Sequence, residues 1–171
     1  MTYDQIKKEY DAYYKFLLKN GNLLWRDTKL GFWGKVIIEE IHELFKQINL
    51  EKYNHFLDLG SGDGSVVLLA SLFTKASGIE IDDDLLKAGV NIRNKLKLNA
   101  DFVHGDYNLH DIHQYDVIFV NPDKPFYREL DTFLRDYKGI VIVYSEHFLP
   151  SDMKLVKDLR KQNVNALLYK N

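Results

Sequence analysis

The residues best suited to chemistry are the acids flanking a run of glycines, His55-Phe56-Leu57-Asp58-Leu59-Gly60-Ser61-Gly62-Asp63-Gly64-Ser65. An apolar stretch leads in and a helical stretch follows, which is the strand, turn and helix context of a nucleotide-binding loop. A phosphate loop closes on Gly-Lys followed by Ser or Thr, and the turn has no such ending. A dinucleotide fingerprint needs a third glycine three residues after Gly62, where Ser65 stands. Charge weighs further against both, because Asp58 and Asp63 would repel a pyrophosphate lodged on the helix N-terminus. Two unit charges about 4 Å apart interact by roughly 4 kcal/mol at an effective dielectric of about 20. S-adenosylmethionine carries no phosphate. Its ammonium and sulfonium are drawn to acids, and its carboxylate can still use N–H groups at the helix start. Downstream, Gly78-Ile79-Glu80-Ile81-Asp82 ends the next apolar run. Glu80 follows Gly60 by about 20 residues, the offset at which an acid reaches ribose hydroxyls.

These residues need a sheet to hold them. After Tyr53, short apolar runs alternate with helical patterns, as in a parallel sheet with crossover helices. The pattern predicts strands near 55–59, 76–81, 100–104, 115–120, 139–145 and 164–169. Helices are predicted near 64–73, 83–96, 126–137 and 152–162, and the strand at 164–169 is expected to close one sheet edge in the antiparallel sense. Before the sheet, Tyr3 to Lys19 reads as an amphipathic helix with a Tyr-rich face, ended by Asn20-Gly21. A loop over 22–34 carries Trp25, Phe32 and Trp33, too large and apolar for plain linker. A second helix over 35–49 places Ile37, Ile41, Leu44, Phe45 and Ile48 on one stripe, with Glu39, Glu40, Glu43 and Lys46 opposite.

Composition bounds the partners. A chain of 171 residues fits one domain, here an N-terminal helix and aromatic loop over 1–34 joined to a core over 35–171. A net charge of -2 exerts no general pull on a phosphate backbone, so a nucleic-acid partner requires a local basic patch. Cysteine is absent, which excludes disulfides, thiolate zinc sites and a cysteine nucleophile. The longest strongly apolar stretch, Val66 to Phe73, is far below the roughly 20 residues that span a bilayer, and the expectation is a cytoplasmic protein. His110 and His113 lack a carboxylate pair at ligand spacing, and no metal is expected.

Through Asp58-Leu-Gly-Ser-Gly-Asp-Gly64, Gly78-Ile-Glu80 and His104-Gly-Asp106, the chain resembles the class I S-adenosylmethionine-dependent methyltransferases over about Val36 to Asn171. The resemblance implies a Rossmann-like α/β fold: an open, mostly parallel sheet of six or seven strands with helices on both faces. It implies a cofactor site of Asp58, Gly60, Ser61 and Gly62 around the methionine portion, with Glu80 and Ile81 at the ribose. Asp106 and Tyr107 would lie by the adenine, and Asn121 beside the methyl group. The six predicted strands depart from the family's usual seven.

The acceptor side is expected where the strands over 115–120 and 139–145 end, at Asn121-Pro122-Asp123-Lys124-Pro125-Phe126 and Tyr144-Ser145-Glu146-His147-Phe148. Methyl transfer needs alignment of nucleophile, methyl and sulfur, with the nucleophile's lone pair left free. Asn121-Pro122 resembles the start of the Asn/Asp-Pro-Pro-aromatic motif of methyltransferases acting on exocyclic or amide nitrogens. Asp123 and Lys124 replace its last two positions, leaving base stacking to Phe126 or Tyr127. The glycine-loop run with Val66, Val67 and Ala70 is also similar to compact protein-lysine methyltransferases, which often have an arginine where Ser65 stands. The expected reaction is methyl transfer to a protein lysine, with Asn121, Pro122 and Asp123 as catalytic candidates and Glu146 or His147 as further proton relays. A nucleobase nitrogen in RNA or DNA, and a catalytically silent cofactor-binding subunit, are the alternatives.

Overall fold

The structure is a computed structural model, and it describes residues 2–28, 31–122, 128–145 and 148–171. The first helix, α1 (Tyr3–Lys19), starts where the Gln5 side chain accepts the Thr2 N–H at 3.0 Å. It stops at Gly21, which takes a φ of +77° while the N–H groups of Asn20, Gly21 and Asn22 bond back into the last turn. Only Ile6, Tyr10 and Tyr14 of this helix are fully buried, so it packs along one narrow stripe. The aromatic segment expected as loop contains a small antiparallel hairpin, β1 (Trp25–Asp27) with β2 (Phe32–Gly34).

Helix α2 (Ile38–Gln47) buries Ile38, Ile41, Leu44 and Phe45. Two expectations fail here. Ile37 precedes the helix and is 55% exposed, because the chain is still extended at that point. Glu40 is half-buried rather than solvated: it accepts the Tyr144 hydroxyl at 2.8 Å and the Asn165 N–H.

From here strand and helix alternate: β3 (His55–Leu59), α3 (Ser65–Ala70), β4 (Lys75–Glu80), α4 (Asp83–Leu96), β5 (Ala100–His104), β6 (Val117–Val120), α5 (Arg128–Leu134) and β7 (Ile140–Val143). Two final strands follow, β8 (Lys154–Asp158) and β9 (Leu167–Lys170). The sheet runs in the order β5-β4-β3-β6-β7-β9-β8, with its first five members parallel. Strand β3 is central: the chain leaves it through β4 to β5 on one side and resumes at β6 on the other. Such a switch point opens a crevice beyond the carboxyl ends of the two strands, here at Leu59 and Val120.

Side chains alternate faces along each strand. Phe56, Val117 and Phe119 join the core beneath α1, α2, α3 and α4, whereas Leu57, Leu59, Ile118 and Val120 join the core beneath α5. Among the described residues, helices therefore cover both faces, four on one and one on the other.

The C-terminal edge corrects the prediction. The segment expected as a helix over 152–162 is strand β8 followed by a 3-10 turn at Arg160–Gln162. Strand β9 is antiparallel as expected but internal, paired with β7 on one side and β8 on the other. Met153, Leu155, Val156 and Leu159 suit a helical stripe and a strand alike. Pairing with β9 decides between them, aligning Leu155 with Tyr169 and Asp158 with Leu167. Lys154 and Lys157 then sit on the outermost strand, where charge discourages pairing with another chain. The sheet thus has seven strands. Among the described residues, no helix is long and apolar enough to cross a membrane.

Candidate active site

The glycine turn between β3 and α3 is shaped by close approach. Gly62 has a φ of +54°, and a Cβ there would lie 2.6 Å from Trp33 Cδ1. Gly64 has a φ of +76°, and its Cβ would lie 2.6 Å from the Phe102 ring. Side chains at either position would be strained in backbone and blocked in space. The Gly60 and Ser61 N–H groups both donate to the Ile79 carbonyl, at 3.0 and 2.9 Å, stitching the turn to β4.

Glu80, at the end of β4, organises what surrounds it. Its Oε2 accepts the Gly62 N–H at 2.7 Å, and its Oε1 accepts the N–H groups of Ile81 at 2.9 Å and Asp82 at 2.8 Å. A carboxylate has about four lone-pair sites, so Glu80 keeps one for a ligand. Asp82 caps α4 by accepting from Asp84 and Leu85, and is gripped by Arg26 at 2.8 Å. That ion pair moors the N-terminal hairpin over the turn.

The two acids of the turn differ. The Asp63 carboxylate accepts the Ser65 N–H at 3.1 Å and the Tyr14 hydroxyl at 2.8 Å. Burial raises its pKa while these bonds oppose the rise. Asp63 therefore occupies an N–H at the start of α3, which the sequence reading had left to the ligand's carboxylate. Asp58 is 3% exposed and its backbone is paired with β4 and β6, while its side chain lines the crevice at the switch point. Burial, then the nearby charges of Glu80 and Asp63, hold its carboxyl well above the usual range. Ser61 Oγ is buried without a partner among the described residues.

A cavity of about 180 Å³ opens at the switch point. Its wall includes Asp58, Gly60, Ser61, Glu80, Ile81, Asp106, Tyr107, Asn121 and Pro122, so the structure gathers most of the sequence-derived candidates around one space. Gly62 stands behind the wall, its N–H turned to Glu80. Asp106 accepts from the Asn108 backbone and side chain at 2.9 Å each, capping the short turn that carries Tyr107. Asn121 is exposed at the end of β6. Asp123 lies outside the described residues, as do Phe126, Tyr127, Glu146 and His147.

Sequence reasoning passed over part of the site. Phe119, Leu85 and Leu130 line the cavity as apolar residues. Trp33 also lines it, and is the one residue of the aromatic pair on β2 to be buried. Tyr10 and Tyr14 reach Asp63 from α1, a link whose one sequence signal is their four-residue spacing on a single helix face. Four acids, Asp58, Asp63, Glu80 and Asp106, line the cavity, and no described lysine, arginine or histidine does.

The fold matches those of several solved structures. An RNA methyltransferase from Salinibacter ruber, solved with S-adenosyl-L-homocysteine, superposes with a TM-score of 0.61 at 21% identity, covering 79% of this chain and 90% of that one. A SAM-dependent methyltransferase from Thiobacillus denitrificans, also solved with S-adenosyl-L-homocysteine, gives 0.52 at 19% identity, covering 61% of this chain and 47% of that one. The YcgJ protein of Bacillus subtilis gives 0.53 at 14% identity, and here too the match spans only 49% of the neighbour's length, against 61% of this chain. Among curated proteins, none matches the chain in sequence. Residues 29–170 match the family model described as histone methylation protein DOT1, and the chain belongs to that family.

Proposed function

We propose that this chain is an S-adenosylmethionine-dependent enzyme that methylates the side-chain nitrogen of a protein lysine, residues 1–171 acting as one catalytic unit in the cytoplasm. The observation carrying this reading is the charge of the cavity, lined by four acids and by no described base. A carboxylate removed from bulk water is costly, and a cation beside Asp58 offsets that cost. Ser61 Oγ offers a hydroxyl in the same space, and Glu80, with a lone pair left over, would hold a ribose hydroxyl. Asp106 and Tyr107, also on the wall, would lie beside the adenine. A phosphate-bearing nucleotide is disfavoured, because Asp63 already takes an N–H at the start of α3 and repels a second anion.

When bound, S-adenosylmethionine supplies a methyl carbon attached to a positively charged sulfur that accepts the electron pair of the breaking C–S bond. The remaining work is the chain's. The acidic wall draws in a lysine ammonium, which must release its proton to solvent before it attacks; its reference pKa of about 10.4 makes that deprotonation cost roughly 4 to 5 kcal/mol near neutrality. Asn121, which follows β6 and lines the cavity, would accept a hydrogen bond from the amine and so orient the amine's lone pair for transfer. The family's description as a histone methylation protein supports a protein acceptor.

The test is incubation of the purified chain with cell lysate and methyl-labelled cofactor, followed by separation of protein, RNA and DNA. Label recovered as methyl-lysine after protein hydrolysis is the expected result. Label confined to nucleic acid overturns the lysine assignment in favour of a nucleobase nitrogen. Calorimetric binding of S-adenosylhomocysteine with no transfer to any fraction leaves a silent cofactor-binding subunit.

A further inference from the structure

Helix α1 lies ahead of the region matched by the family model, which begins at residue 29, yet it reaches the glycine turn at its most charged point. Tyr14 donates its hydroxyl to Asp63 Oδ2 at 2.8 Å, and Tyr10 donates its hydroxyl to the Asp63 carbonyl at 2.9 Å. Both rings are buried. With the Ser65 N–H on Oδ1, Asp63 is held at its main chain and at both carboxylate oxygens. Burial raises the pKa of both phenols, so each stays protonated and remains a donor. The helix is itself anchored: Glu9 pairs with Lys95 of α4 at 2.6 Å, and the Lys35 ammonium sits 5.3 Å from the Tyr14 ring centre. Tyr13, half-buried on the same helix, donates to no described residue.

Asp63 lies between Gly62 and Gly64, both in left-handed backbone conformations. Fixing its main chain and its carboxylate fixes the turn, and with it Gly60 and Ser61 on the cavity wall. Space-filling alone accounts for buried rings, not for two hydroxyls meeting one residue. We propose that Tyr14 and Tyr10 are positioning residues, through which α1 holds the glycine turn in its cofactor-ready shape. The inference rests on the reading of the cavity as a site for S-adenosylmethionine.

The test compares Tyr14→Phe, Tyr10→Phe and, as a control, Tyr13→Phe in the full chain; all keep their rings. Affinity for S-adenosylhomocysteine is measured by calorimetry, and KM for the methyl donor and kcat are measured separately. Tyr14→Phe is expected to weaken binding about tenfold, the weight of one hydrogen bond to a charged group, with the loss falling on KM rather than kcat. Tyr10→Phe, which removes a bond to a neutral carbonyl, is expected to cost about threefold, and Tyr13→Phe to leave binding within about 1.5-fold of the parent. Should Tyr14→Phe fail to fold, Tyr10→Phe carries the comparison against Tyr13→Phe. Parent protein that binds S-adenosylhomocysteine, with all three variants binding alike, overturns this inference alone. Parent protein that does not bind it overturns the underlying reading and this inference together.

Discussion

Asp58 is the residue whose replacement separates stability from function most sharply. It is 3% exposed, it lines the cavity, and its carboxyl is raised by burial and by Glu80 and Asp63. A carboxyl whose folded pKa lies above its unfolded value binds more protons when folded. Stability is therefore lost as pH climbs from the ordinary value of 3.8 toward the folded value. The penalty at pH 7 is bounded by protonating an ordinary carboxyl across about three pH units, roughly 4 kcal/mol at 1.36 kcal/mol per unit. Relaxation lowers this bound, and Asn is itself a buried polar group. We predict that Asp58→Asn stabilises the ligand-free protein by about 1 to 2 kcal/mol at pH 7, a rise of roughly 2–8 °C in Tm. The gain should shrink as pH falls toward 3.8 and vanish below it, where the carboxyl is protonated in both states of the parent. The same change should weaken S-adenosylmethionine by at least about tenfold, because a cation loses its counter-charge. Thermal melts from pH 4 to 8, with parallel titrations of S-adenosylmethionine and S-adenosylhomocysteine, read both effects. The second ligand keeps the ammonium and lacks the sulfonium, so a greater loss for the first assigns Asp58 to the sulfur. A variant less stable than the parent at pH 7, or one that binds both ligands unchanged, refutes the electrostatic reasoning.

Three further outcomes are expected. Glu80→Ala strips an acceptor from the N–H groups of Gly62, Ile81 and Asp82 and should weaken S-adenosylhomocysteine by about a hundredfold or more, with Glu80→Gln retaining part of the affinity; equal affinities for the two variants count against its backbone role. Gly62→Ala sets a Cβ against Trp33 at a φ of +54° and should lower Tm by roughly 4–8 °C, about 2 kcal/mol, with weaker cofactor binding; a melt unchanged from the parent contradicts the close approach. For a lysine acceptor, kcat/KM should rise about tenfold per pH unit below the amine's pKa of about 10.4, since only the neutral amine attacks; a rate flat from pH 7 to 9 points to an acceptor already neutral, such as a nucleobase.

Local sequence carried a large part of this protein. The span of α1, the strand at 55–59, the helix at 83–96 and the strand at 100–104 followed from periodicity and caps. Each is long or strongly patterned, and its neighbours in sequence suffice to define it. The glycine turn was legible for the same reason: its acids, its glycines and Glu80 lie within two adjacent strand ends, and parallel pairing of β3 with β4 brings them together.

What the tertiary structure decided lies where a local pattern permits two outcomes or where partners are far apart in sequence. The stretch at 154–158 suits helix and strand equally, and only β9 selects the strand, converting an expected edge into an interior position. Glu40 sits on the polar side of α2 in sequence, yet meets Tyr144 and Asn165 more than a hundred residues away. Tyr10 and Tyr14 have the composition of a packing face, and their hydroxyls acquire a purpose only when folding sets Asp63 opposite them. A hydrogen bond depends on distance and angle, and for residues so distant along the chain those are set by the packing of whole elements.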